Sequence, residues 1–266
     1  MNFRNLIHKL RTACFPDTRV SLHSKNTVGT RNIETRHEWV EKTLRALQPG
    51  LRILDAGAGE QQYKRHCSHL RYVSQDFAQY DPSKVKAGMQ MTEWNYGALD
   101  IVCDITRIPE ADGSFDVVIC FEVLEHVPDP VAALRELARL VRRGGKLIIS
   151  APFCSMTHFA PFHYSTGFSR FFYEKHLADL GFNILELSAN GNFFEYLAQE
   201  LRRLESVGAK YAGSAPSPDG ARCINVVLDT LQRFSAQDTG SDELLAFGFH
   251  VIAVNDSQKS QDLPVP

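Results

Sequence analysis

The sequence predicts an α/β fold: a doubly wound, mostly parallel sheet with helices on both faces. Three observations carry this. Short apolar runs of strand length recur along the 266 residues, stretches with apolar residues at helical spacing lie between several of them, and one strand, helix, Gly-Gly turn, strand succession is complete. A chain of this length has room for one such domain with insertions and can bury a sizeable core.

In chain order, "ETRHEWVEKTLRAL" carries Trp39, Val40, Leu44 and Leu47 at helical spacing and stops at Pro49-Gly50. Seven strand candidates follow: "RILDAG", "RYVSQDF", "DIVCDI", "DVVICFE", "KLIISAPF", "FNILELSA" and "AFGFHVIAVN". Between the fourth and fifth, "VPDPVAALRELARLVRRGG" reads as a helix. Asp129 caps it, Pro130 suits its first turn, and Val131, Leu134, Leu137 and Val141 form its apolar stripe. Arg142 and Arg143 suit its end, and Gly144-Gly145 stop it. Residues 190–241, between the last two strand candidates, are too many for an ordinary loop and hold two helical patterns, "FFEYLAQELRRLE" and "CINVVLDTLQRF". They are expected to form a helical insertion or lid on one domain, residues 31–255. Residues 1–30 are an N-terminal extension and 256–266 a disordered tail.

Composition narrows the function classes. Hydrophobic residues make up 44% and charged residues 23%, the formal net charge is -2, and no global basic field exists to draw the chain to nucleic acid. The six cysteines form no CxxC pair, which argues against a zinc ribbon or a disulfide scaffold and fits a reducing cytosol. No apolar run approaches a membrane span. Phe3, Leu6, Ile7 and Leu10 make one apolar face of a basic N-terminal helix. A helix packed over the domain is the favoured reading of residues 1–13, with peripheral contact to an anionic membrane or a mitochondrial transit peptide as alternatives.

Ligands of a doubly wound sheet bind beyond the carboxyl ends of its strands. Three acids fall there, Asp55, Asp76 and Asp104, beside Gly57 and Gly59, whose missing side chains allow a tight turn and close approach of a ligand. The place of a third glycine in a dinucleotide fingerprint is held by Gln62. A pyrophosphate would be repelled by this set, whereas a ligand with a cationic centre and a ribose diol would be accommodated.

Taken together, "ILDAGAG", the Asp76 strand end, "CDI", "FDVVICFEVLEHVPDP" and "RRGGKLIISAPF" resemble the class I S-adenosylmethionine-dependent methyltransferases, with the best match to the ubiquinone-biosynthesis O-methyltransferase branch. The resemblance covers roughly residues 38–191. It implies a Rossmann-like, seven-stranded sheet whose last strand, residues 247–255, is antiparallel. It also implies S-adenosyl-L-methionine as cofactor, with Asp55, Gly57 and Gly59 at the methionine end and Asp76 on the ribose hydroxyls. Asp104 would face the adenine amino group, with Ile105 against the ring and Phe121 near the cofactor. The resemblance departs at Glu60-Gln61-Gln62, where many members carry a further glycine; these side chains either cap a following helix or touch the cofactor.

Methyl transfer needs proximity, alignment and, for a hydroxyl acceptor, a base. "FEVLEHV" places Glu122, Glu125 and His126 in the ExxEH pattern that the ubiquinone branch links to a divalent metal. A structural turn is the favoured reading of that pattern here, and a metal the alternative. The aromatic stretch after the fifth strand supplies His158 and His163, histidines being natural bases for an alcohol. The expected function is methyl transfer to a small-molecule acceptor at a hydroxyl oxygen: a glycan sugar, a lipid-linked quinone precursor or a secondary metabolite. An RNA methyltransferase using Arg202, Arg203, Lys210 and Arg222, or a non-catalytic cofactor-binding or partner-binding module, is the rival.

Overall fold

The computed structural model describes residues 26–256. Its sheet has seven strands: β1 (Arg52–Ala56), β2 (Arg71–Asp76), β3 (Ile101–Val102), β4 (Phe115–Phe121), β5 (Val141–Pro152), β6 (Phe182–Asn190) and β7 (Gly248–Asn255). The spatial order is β3-β2-β1-β4-β5-β7-β6. Neighbours from β3 to β5 are parallel, while β7 runs antiparallel to both β5 and β6. The order reverses direction between β1 and β4, so a crevice opens at their carboxyl ends. This is the doubly wound sheet with an antiparallel last strand that the sequence predicts.

Both faces of the central strands are covered, which is why they read as near-continuous apolar runs. Alternate residues go to opposite sides. Ile53, Val117, Ile119 and Ile148 pack under Val40 and Leu44 of α1 (Asn32–Arg45). On the other side, Leu54, Val118, Leu147 and Ile149 meet Leu134 and Leu137 of α2 (Pro130–Leu140) and Tyr173 and Leu177 of α3 (Arg170–Asp179).

Asp129 caps α2 by accepting from the Ala132 amide, with Pro130 in the first turn, as expected. The end of α2 differs from expectation. The helix stops at Leu140, and Val141 already pairs with Phe115 as the start of β5. The next register pair is Val117 with Lys146, so residues 142–145 bulge from the strand. Arg142 leaves the helix because its Nε reaches Asp116 Oδ1 at 2.5 Å, and a Cβ at Gly145 would lie 2.7 Å from the Asp116 carbonyl oxygen. The two glycines therefore shape a bulge rather than stop a helix.

The early crossovers also depart from a strict βαβ repeat. After β1 there is only a 3-10 turn, Lys64–His66, and residues 77–100 between β2 and β3 form a loop with no helix. Between β6 and β7 stand two helices, α4 (Phe193–Val207) and α5 (Pro218–Ala236), capped by the Asn192 and Ser217 side chains. Val28, Ala198, Leu228 and Leu231 form a small core of their own. Residues 26–30 are thus built into the insertion: Arg202 donates to the Val28 carbonyl at 2.8 Å, and Glu195 Oε2 accepts from the Gly29 amide at 2.6 Å. Gly29 is required, since a Cβ there would lie 2.3 Å from the Gln199 nitrogen. The expected N-terminal helix (residues 1–13) and all of the expected tail after Asp256 lie outside the described residues.

Candidate active site

The turn after β1 is built on β2. The Gly57 and Ala58 amides donate to the Gln75 carbonyl at 2.9 and 2.8 Å, and Asp76 Oδ2 accepts from the Gly59 amide at 2.9 Å. Gly57 and Gly59 have φ of 76° and 51°, where glycine is favoured. Close approach adds to that requirement, since a Cβ on Gly57 would lie 2.4 Å from a Val123 methyl and one on Gly59 2.9 Å from the Trp94 ring. Asp55 and Asp76 are 3% and 6% exposed at the crevice. Burial raises the Asp55 carboxyl to about 7, against the Tyr72 hydroxyl that donates to it at 2.5 Å, with Asp76 adding to the rise. Burial likewise raises Asp76, opposed by amides of Ala78, Gly59 and Phe77. Two adjacent buried carboxyls held above their ordinary range suit a cation, which would return both to their charged forms.

Phe121 ends β4 buried, edge-on to Tyr63 with ring centroids 5.2 Å apart. Ile105 is buried in the core, whereas Asp104 is exposed, its Oδ1 accepting from the amide and hydroxyl of Thr106 at 2.8 and 2.7 Å.

Glu60 and Gln61 cap no following helix, and their side chains reach the β2–β3 loop instead. Glu60 accepts from the Asn95 amide at 3.1 Å, and Gln61 Nε2 donates to the Tyr96 and Ala98 carbonyls at 2.8 and 2.9 Å. They tie the β2–β3 loop to the turn. Gln61 itself adopts φ 56°, the conformation that a glycine near this place would take readily. The tied loop carries Tyr80, Trp94 and Tyr96, which cluster with Phe159 from the segment after β5. Tyr80, Trp94, Tyr96, Pro161 and Phe162 also line an open cleft of about 740 Å³.

The ExxEH residues separate. Glu122, at φ 56°, turns toward α1 and accepts from Arg36 at 2.5 Å and from the Ser150 hydroxyl at 2.9 Å. The 3-10 turn Leu124–His126 carries Glu125 and His126 in another direction. There they meet His158. His126 Nε2 and His158 Nε2 lie 3.7 and 3.9 Å from Glu125 Oε1. His163 stands beside them, its ring centroid 4.9 Å from that of His158 and its Nε2 3.3 Å from the Ser155 hydroxyl. Burial lowers His126 to about 3 and lowers His158 and His163, so all three imidazoles are neutral at pH 7.

Arg36 is a site residue that sequence reasoning passed over. Its helix is legible, but only the fold brings its guanidinium to Glu122 and to Tyr63. The four cations of the RNA reading are engaged otherwise: Arg202 on Asn26 and Val28, Arg203 on Glu200, Lys210 on the Gly88 carbonyl and Arg222 on Asp219.

Residues 54–149, from β1 to β5, match the family described as "Methyltransferase domain". Residues 54–149 thus carry a methyltransferase domain. Over 105 residues it is 34% identical to the ubiquinone biosynthesis O-methyltransferase of Aeromonas salmonicida, covering 38% of this chain and 43% of that protein. Over 168 residues it is 33% identical to the demethylmenaquinone methyltransferase of Beutenbergia cavernae, covering 62% and 64%. The chain thus spans about half the length of the curated relatives it matches. The [4+2]-cyclase SpnF has the same fold, with a TM-score of 0.50 at 16% identity over 94% of this chain and 93% of that one. Among the described residues, no helix of the methyltransferase domain is long and apolar enough to cross a membrane.

Proposed function

We propose that the chain transfers a methyl group from S-adenosylmethionine to a hydroxyl oxygen of a small aromatic acceptor of the quinone-precursor type. The observation that carries this is the placement of three neutral imidazoles beside a glycine turn lined with buried carboxyls, at the reversal point of the sheet. The two halves adjoin. Val123, against which Gly57 packs, leads directly into the Glu125–His126 turn, and Phe77, next to Asp76, packs edge-on to Phe162, next to His163, at 4.9 Å.

The residues present fit the cofactor. Gly57 and Gly59 form a cradle that a Cβ would fill, and Asp55 and Asp76 favour a cation. In this reading Asp55, Gly57 and Gly59 hold the methionine end, and Asp76 takes the ribose diol, an acid accepting two hydrogen bonds. Asp104 and Ile105 face the adenine, and Phe121 closes the floor. Bound S-adenosylmethionine supplies an electrophilic methyl on a sulfonium, with a neutral thioether as leaving group.

The chain's own task is then to place the acceptor oxygen and accept its proton. His163 is given the proton, being less enclosed than His158, and its neutral ring is ready to receive it. The aromatic lining of the open cleft suits a flat ring, and the names of the two quinone-pathway relatives support the same class. Peripheral membrane contact through residues 1–13 would suit a lipid-linked acceptor. Flotation with anionic liposomes tests it, and equal retention of the full chain and a chain lacking those residues would exclude it.

Calorimetry with S-adenosylmethionine, followed by a screen of phenolic acceptors with methyl-labelled cofactor, tests the function. Asp76→Ala is expected to weaken cofactor binding at least tenfold, and His163→Ala to lower turnover by about 100-fold or more with cofactor affinity kept. Wild-type cofactor affinity in Asp76→Ala would overturn the site assignment.

A further inference from the structure

The segment after β5 folds back on itself between Pro152 and Phe168. The Phe168 amide donates to the Pro152 carbonyl at 2.8 Å, and the Ser155 amide donates to the Thr166 carbonyl at 2.6 Å. Gly167, at φ 149°, permits the fold-back, since a Cβ there would lie 2.5 Å from the Phe153 carbonyl oxygen. Inside this loop the chain on both sides of His163 is tied to the Glu125–His126 turn. The Phe162 carbonyl faces His126 Nδ1 at 2.5 Å, and the Tyr164 and Ser165 amides donate to the Glu125 carbonyl at 2.9 and 3.2 Å. The backbone of His163 is thereby fixed, and what remains to be set is its ring.

The three imidazoles are not equivalent. His126 Nδ1 faces the Phe162 carbonyl, and His158 Nδ1 lies 2.8 Å from the Met156 carbonyl. A carbonyl only accepts, so each of these Nδ1 atoms carries the proton and each Nε2 keeps the lone pair. Both Nε2 atoms lie beside the buried Glu125 carboxyl, at 3.7 and 3.9 Å from Oε1. His163 is set the other way round. Its Nε2 lies 3.3 Å from the Ser155 hydroxyl oxygen, and that hydroxyl reaches the Thr166 carbonyl at 2.9 Å. A hydroxyl has one proton to give. The Thr166 carbonyl is the shorter contact and can only accept, so it takes that proton and leaves the Ser155 oxygen to accept from His163 Nε2. Nδ1 of His163 then holds the lone pair, and among the described residues it makes no hydrogen bond to protein.

We propose that Ser155 is a positioning residue that holds His163 as the Nε2–H tautomer and so makes Nδ1 the atom that takes the acceptor's proton. The Ser155 assignment stands on the hydrogen-bond chain from Thr166 to the ring, while the role of Nδ1 rests on the methyl-transfer reading. In that step the acceptor oxygen gives its proton to Nδ1 and an electron pair to the methyl carbon, whose former bonding pair stays on sulfur. The imidazole becomes a cation. Its Nε2–H remains on the Ser155 oxygen and the Ser155 proton remains on Thr166, so no group has to turn as the proton arrives. Ser155 is not a nucleophile in this arrangement, because His163 presents to it a donor and not a base.

The test is two-bond 1H–15N correlation on the full-length chain labelled with 15N-histidine at about pH 8, where the ring is neutral. His163→Gln marks the resonances of that ring, and the coupling pattern shows which nitrogen carries the proton. Wild-type His163 is expected as Nε2–H. Loss of one hydrogen bond in Ser155→Ala should raise the Nδ1–H share about fivefold or more, and Ser155→Thr should keep the wild-type form. With a phenolic acceptor in hand, Ser155→Ala is expected to lower kcat about tenfold with KM and cofactor affinity within about threefold, and Ser155→Thr to restore turnover. In a His163→Ala background, Ser155→Ala should cost nothing further. Circular dichroism and melting confirm that each compared protein is folded. A wild-type His163 in the Nδ1–H form, a tautomer ratio unmoved by Ser155→Ala, or an equal loss of turnover in the His163→Ala background would overturn the assignment. A tautomer held by Ser155 in a chain that methylates no phenol overturns the methyl-transfer reading alone.

Discussion

Gly57 shows how one residue can be fixed twice, by its backbone conformation and by its neighbour. Its φ is 76°, and an added methyl would sit 2.4 Å from Val123 Cγ2. Gly57→Ala is therefore expected to destabilise the fold by about 1–3 kcal/mol, measured by urea denaturation, and to weaken cofactor binding, because Val123 must shift and carries the Glu125 turn with it. If Gly57→Ala melts and binds as wild type does, the close approach is not required.

Asp55 makes a prediction of a different kind. Its carboxyl titrates at about 7 in the folded chain against 3.8 in the unfolded one, so the folded state holds an extra proton between those values. The resulting stabilisation is complete below about pH 4 and is lost as pH rises through 7. A cationic ligand favours the ionised form. Cofactor binding is thus expected to tighten as pH rises from about 6 to 8 and to release protons, which calorimetry in buffers of different ionisation enthalpy would detect. Binding free of proton exchange would remove Asp55 from the cofactor's surroundings.

Among the elements, the β2–β3 loop does the work that a crossover helix would have done. It is tied at one end by Gln61 and Glu60. At its middle, the Met89 amide donates to the Thr157 carbonyl at 2.9 Å and the Phe159 amide to the Met89 carbonyl at 3.1 Å, a bridge that flanks His158. Lys210 from the insertion holds the Gly88 carbonyl at 2.6 Å. One loop thereby links the cofactor turn, the histidine segment and the helical insertion. Gln61→Ala removes three side-chain hydrogen bonds, two to loop carbonyls and one from Lys64 Nζ, while keeping a residue strained at positive φ. Faster amide exchange in residues 94–98, at a cost of about 1–2 kcal/mol, is the expected result. Gln61→Gly removes the same bonds but relieves the backbone, and should recover part of that cost in the same denaturation series.

At the scale of the whole molecule, buried acids and imidazoles set the pH response. Burial raises Glu125 as well as Asp55 and Asp76, and Glu122 adds to the effect on Glu125. All three hold extra protons in the folded state above their unfolded values. These acids lower the ligand-free stability as pH rises, whereas the lowered imidazoles of His126, His158, His163 and His250 add stability as pH rises toward their unfolded values. The stabilisation by bound cofactor, which keeps Asp55 and Asp76 beside a cation, is therefore expected to grow toward neutral pH. Melting temperatures across pH 5–8, with and without S-adenosylmethionine, check this, and a cofactor-induced shift that shrinks toward neutral pH would contradict it.

The sequence by itself determined the sheet, because period-2 and near-continuous apolar runs such as "DVVICFE" and "KLIISAPF" are local signatures of strands covered on both faces. It also determined the Asp129–Pro130 helix start and the GxG turn, since caps and positive-φ glycines act within a few residues. Only the tertiary structure decided the rest. Arg142 reads as a helix end but joins a bulged strand, because Asp116 lies across the sheet. Gln61 reads as a cap or a ligand contact but ties a loop whose carbonyls come from residues 96 and 98. Glu122, Glu125 and His126 read as one group, yet a positive φ and a 3-10 turn send them apart, and His158 arrives from beyond β5 to stand by Glu125. Periodicity and caps report what a residue does to its own backbone. Which side chains converge depends on where distant strand ends are brought together, and no local pattern carries that information.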